Sequence, residues 1–121
     1  MTPEELEQHI VAALEDAKAV DIRTIDVRDI TDVTDYMVIA SGTSSRHVKS
    51  VADKVASSMR DLGCKALGRE GEDLAEWVLV DFGDVILHVM QPATRDHYQL
   101  EKLWEQGPIA ENSSGSINSV K

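Results

Sequence analysis

Residues 77–90 read Trp77-Val78-Leu79-Val80-Asp81-Phe82-Gly83-Asp84-Val85-Ile86-Leu87-His88-Val89-Met90, and their reading decides the fold. Gly83-Asp84 supplies a two-residue turn of the kind that closes β-hairpins. That turn opposes Phe82 to Val85, Val80 to Leu87 and Val78 to Val89, because side chains alternate faces along a strand. All six are apolar, so their side of the hairpin is core. The other side carries Trp77, Leu79, Asp81, Ile86, His88 and Met90. This face is too apolar for plain exposure to water and too polar for an ordinary core. Either the chain's own terminal helix covers it or a partner does. Trp77, Leu79, Asp81, His88 and Met90, with Tyr98 further on, form the candidate partner-binding set. His88 sits diagonally from Asp81 across that face, a placement suited to a structural pair.

Working back from the hairpin, Glu70-Gly71-Glu72-Asp73 reads as a turn and Lys65 to Arg69 as a modest strand. Before it lies the clearest helix. Val48, Val51, Ala52, Val55, Ala56, Met59 and Leu62 recur at three- and four-residue steps, and Gly63 suits the left-handed cap that ends it. The small polar loop Ser41-Gly42-Thr43-Ser44-Ser45 opens that helix, and its hydroxyls can cap the first amides. Tyr36 to Ala40 is a short apolar strand. Ile22 to Val27 is another, β-branched but imperfectly alternating. At the start, Thr2, Pro3 and Glu5 form a capping box ahead of the stripe Leu6, Ile10, Ala13, Leu14 and Ala17. Downstream, Pro92 begins a short helix whose apolar contacts are Tyr98, Leu100, Leu103 and Trp104.

The order is therefore α-β-β-α-β-β-β-α, an α/β (α+β) domain whose helices cover a mixed sheet. Residues 1–104 form the domain. Residues 105–121, rich in Asn, Ser and Gly, are expected to be a disordered tail.

At 121 residues the chain supports one core. Twelve Lys and Arg against 22 Asp and Glu leave a formal charge of -10, which disfavours broad nucleic-acid binding; it either serves solubility alone or favours encounter with a basic protein partner. Cys64 is the single cysteine, so neither an internal disulfide nor a thiolate metal cluster is expected. The acidic start lacks the features of a signal peptide, and no apolar run approaches the roughly 18 residues of a membrane helix. A cytoplasmic protein with no membrane association is expected.

The stretch Asp35-Tyr36-Met37-Val38-Ile39-Ala40-Ser41-Gly42-Thr43-Ser44 with Arg46 to Lys49, the hairpin from Glu76 to Val85, and His88 resemble the ribosomal silencing factor (Iojap/RsfS) family. So do Pro92, Arg95, Tyr98 and Leu100-Glu101-Lys102-Leu103-Trp104. The resemblance spans nearly the whole domain. It implies a nucleotidyltransferase-like fold without the catalytic metal site, homodimers, and binding to large-subunit ribosomal protein fourteen. It also implies a block on the joining of large and small subunits, which represses translation.

The rival class is an enzyme. A loop such as Ser41-Gly42-Thr43 ahead of a helix suits phosphate binding, but metal-dependent transfer also needs two carboxylates held together. Asp81 and Asp84 straddle the hairpin turn on opposite sides, and Asp26 stands alone. His9, His47, His88 and His97 have no adjacent Ser or Cys in a nucleophile setting. No catalytic residue, metal or cofactor is expected.

Overall fold

The reciprocal cap at the N-terminus forms as its residues dictate. In the computed structural model, which describes residues 1–106, the Glu5 amide donates to the Thr2 hydroxyl at 3.1 Å. The Thr2 amide donates back to the Glu5 carboxylate at 2.9 Å. Helix α1 (Pro3–Asp16) follows and buries Leu6, Ile10, Ala13 and Leu14. Helix α2 (Ser45–Asp61) starts at the Ser44 hydroxyl, which accepts from the His47 amide at 3.1 Å. It ends in the left-handed turn at Gly63 (φ +85°), where the Cys64 amide reaches back to the Met59 carbonyl at 2.8 Å. Leu62, expected in the buried stripe, lies past the last full turn and stays exposed.

Among the described residues five strands form one sheet: β1 (Val20–Asp26), β2 (Tyr36–Ser41), β3 (Gly68–Glu70), β4 (Trp77–Asp81) and β5 (Val85–Met90). Their order is β1-β2-β5-β4-β3, with β2 and β5 parallel and every other pair antiparallel. The hairpin has the expected register: Val80 opposes Leu87, Val78 opposes Val89, and the Phe82 amide donates to the Val85 carbonyl at 2.9 Å. Gly83 takes φ +88°, which a side chain would resist. Val78, Val80, Val85, Leu87 and Val89 are all fully buried beneath α1 and α2, in one cluster with Val38, Val48, Val51, Val55 and Met59.

Two differences from expectation have local causes. The imperfect alternation of β1 is a register shift between Val20 and Arg23, with Asp21 at φ 53°; such a bulge re-aims the side chains that follow. The terminal helix comes as two pieces, α3 (Pro92–Tyr98) and α4 (Leu100–Gln106), broken by Gln99 in the left-handed conformation at φ 49°. Helix α4 thus runs two residues past the expected boundary at Trp104. The remainder of the expected tail, residues 107–121, lies outside the described residues.

The break turns the chain back over the sheet. Leu100 and Trp104 pack against Met37, Ile39, Met90, Ile25 and Val27 on the face opposite α1 and α2. Arg95 clamps this arrangement. Its Nη1 donates to the Ser41 hydroxyl at 2.9 Å, and its Nε and Nη2 donate to Glu101 at 3.1 and 2.8 Å. That hydrogen bonding holds the Glu101 carboxyl below the usual range. Strand β2 is consequently buried along its whole length, which accounts for its unbroken apolar run.

Candidate partner-binding face

The mixed face of the hairpin divides in two. Its lower half is covered by the chain itself. Met90 is fully buried and His88 is 5% exposed. These two were counted among residues that meet a partner. Met90 lies in the cluster that Leu100 and Trp104 pack against, and His88 lies against the Trp77 ring. Trp77, Leu79, Asp81 and Ile86 remain half-buried, at the surface.

Within that face His88 pairs with Trp77 and not with Asp81. His88 opposes Leu79, so Trp77 and Asp81 are its two diagonal neighbours. The turn claims Asp81, whose Oδ1 accepts from the Gly83 amide at 2.8 Å. The Trp77 indole Nε1–H donates to His88 Nδ1 at 2.9 Å. Tyr98, last residue of α3 and 58% exposed, brings its ring centroid within 5.1 Å of Trp77. The structure therefore gathers Trp77, Leu79 and Tyr98 on one open patch, with Asp81 at its turn end.

Beside the patch lies a cleft of about 540 Å³ lined by Glu70, Glu72, Asp73, Leu74, Glu76 and Trp77. Leu74 is 75% exposed at its rim. The one cation among its described lining residues, Arg69, is held by Asp53 at 2.7 Å and Glu72 at 2.6 Å. Sequence reading saw only a turn in Glu70-Gly71-Glu72-Asp73; the cluster of charge was the available signal. Gly71 (φ +86°) is required, because a Cβ there would run into the Trp77 carbonyl oxygen. The turn and the tryptophan are thus built as one unit. A second cleft of about 510 Å³ includes Asp21, Arg23 and Arg95, and Arg95 is already committed to Ser41 and Glu101.

The loop ahead of α2 is tied into the protein by several of its polar groups. The Thr43 amide donates to His47 Nδ1 at 2.9 Å, while His47 Nε2 lies 3.2 Å from the Ala17 carbonyl. His47 so ties the start of α2 to the end of α1. A Cβ on Gly42 would meet the Val48 backbone at 2.8 Å, which keeps the turn this tight. Among the described residues no group of three or more His, Cys, Asp or Glu could hold a metal ion, and no helix is long and apolar enough to cross a membrane.

Comparison with known proteins supplies the family. The model for "Ribosomal silencing factor during starvation" matches residues 1–120. This chain belongs to the ribosomal silencing factor family. One family member, the ribosomal silencing factor of Chromobacterium violaceum, is 42% identical over 104 residues, covering 86% of this chain and 85% of its own. A crystal structure from the same organism, of a protein titled CV0518, has 39% identity and a TM-score of 0.85, and covers 100% of this chain and 98% of its own. A mouse relative, "Mitochondrial assembly of ribosomal large subunit protein 1", is 40% identical over 98 residues, covering 78% of this chain and 43% of its own. The sequence-level family assignment and the mixed α/β fold stand together on these findings.

The buried imidazole gives this silencing factor family member an acid-sensitive core. Burial pushes the His88 pKa down from 6.5 to about 4, so the unfolded chain takes the proton more readily than the folded one. Stability from this group is complete above the unfolded value and declines as the pH falls toward the folded value, by roughly 3 kcal/mol. Melting temperatures of wild type and His88→Gln from pH 7 to 4.5 check this. The variant should lose less, and parallel curves would place the acid sensitivity elsewhere.

Proposed function

We propose that the chain docks on the large ribosomal subunit through ribosomal protein fourteen. There it obstructs joining of the small subunit and so represses translation, acting in the cytoplasm without catalysis. The observation that carries the reading is the open patch of Trp77, Leu79 and Tyr98 set beside the acidic cleft of Glu70, Glu72, Asp73 and Glu76. An aromatic centre with a charged rim is the anatomy of a docking surface. A formal charge of -10 complements a basic ribosomal protein. The mouse relative's name places that protein with the large ribosomal subunit, which favours the large subunit over the small. The Thr43 amide ahead of α2 donates to His47 within the protein, which supports a binding role over phosphate chemistry at that amide. A homodimer is the proposed state of the free protein.

Sedimentation tests the reading. The protein should travel with purified large subunits and not with small ones, and adding it before mixing should reduce the joined particle. Raising salt should slow association more than it speeds release. Equal sedimentation with both subunits, or with neither, would remove this reading.

A further inference from the structure

We infer that His88 is a positioning residue that fixes the orientation in which the Trp77 indole is presented to the partner. The inference rests on the docking role proposed for Trp77. Its evidence is a buried group with a single use. His88 lies on β5 directly under the open patch and is 5% exposed. Its Nδ1 accepts the indole Nε1–H at 2.9 Å. The proton of the neutral ring therefore sits on Nε2, which is buried and has no hydrogen-bond partner among the described residues. A buried donor without a partner destabilises a fold. Leucine at this position would serve the core better, since Met90 and Ile39 pack on the same face. What leucine cannot do is accept from Trp77.

A tryptophan at a half-open site has several side-chain rotamers available. The hydrogen bond selects the one that turns the Nε1 edge inward to the sheet. Tyr98 sits against the same ring at 5.1 Å between centroids, so the indole is held from two sides. An anchor already in its bound rotamer loses less side-chain freedom on docking, and this strengthens binding without a new contact. His88 does this from below the surface, where it meets no partner itself.

The test compares wild type with His88→Leu and His88→Gln, whose amide oxygen can accept the same indole proton. The chain has two tryptophans, so Trp104 serves as an internal reference for the indole N–H signals in an NMR spectrum. In His88→Leu the Trp77 indole proton should exchange with solvent about tenfold faster than in wild type while that of Trp104 is unchanged. Affinity for large subunits should fall about tenfold, with no drop in melting temperature at neutral pH. His88→Gln should restore both readouts. A protected Trp77 proton in His88→Leu would overturn the inference, and so would a freed indole that binds as tightly as before. Should His88→Leu fail to fold, Trp77→Phe reads the bond from the other side, and unchanged affinity there would overturn the inference too. Wild type that does not sediment with large subunits removes the docking role, while the exchange of the indole proton still decides whether His88 holds the ring.

Discussion

Trp77→Ala is expected to weaken binding to the large subunit by about 2–4 kcal/mol, the range of a hot-spot truncation. The side chain is half-buried, lies against Tyr98 at 5.1 Å and donates to His88 at 2.9 Å, which makes it the rigid centre of the open patch. Truncation removes the ring from the patch and also strips His88 Nδ1 of its donor. Stability should therefore fall as well, and affinity has to be expressed per folded molecule. Tyr98→Ala separates the two effects. At 58% exposure its loss should change stability by less than about 0.5 kcal/mol while lowering affinity in the same direction. Melting curves beside sedimentation titrations provide both numbers. If folded Trp77→Ala binds as tightly as wild type, the docking surface lies elsewhere on the molecule.

The opposite side of the same hairpin should behave in the reverse way. Leu87→Ala is expected to destabilise the domain by about 3 kcal/mol and Val80→Ala by about 2 kcal/mol, through lost burial and the cavity left behind. Both side chains are fully buried and oppose each other under α1 and α2. For Leu87→Ala this corresponds to a drop in melting temperature on the order of 10 °C for a domain of this size. The affinity of the folded fraction should not change, because neither side chain reaches the open patch. A denaturant titration gives the stability loss. A Leu87→Ala protein that is stable but binds poorly would mean that the two faces of the hairpin have been assigned the wrong way round.

That assignment of faces was legible in the sequence because it depends on short-range geometry. A two-residue turn at Gly83-Asp84 fixes which residues oppose each other, and strict alternation does the rest. The cap at Thr2 and Glu5, the stripe of α2 and its end at Gly63 are equally local, each set by residues within one or two helical turns. The charge of -10 follows from composition alone. Alternation also placed Trp77 and Leu79 together on the mixed face, whereas Tyr98 lies on α3 and reaches the same patch only through the fold.

The sequence offered the terminal helix as one possible cover of that face, but which part it covers was not legible, because it depends on where a distant segment lands. The break at Gln99 and the reach of Arg95 to Ser41, 54 residues away in sequence, bring Leu100 and Trp104 over Met90. No periodicity in residues 92–104 encodes that destination. The choice of His88 between its two diagonal neighbours was hidden for a similar reason. Trp77 and Asp81 are equivalent in register, and only the capture of Asp81 by the Gly83 amide leaves the indole as partner. The acidic cleft likewise exists because the 70–73 turn folds against Trp77, joining a charge run to an aromatic that the sequence separates. The sequence by itself determined the elements, the hairpin register and the sign of the charge, since these follow from neighbours along the chain. Only the tertiary structure decided which half of the mixed face stays open, since that is a competition between packing partners that are close in space and far apart in sequence.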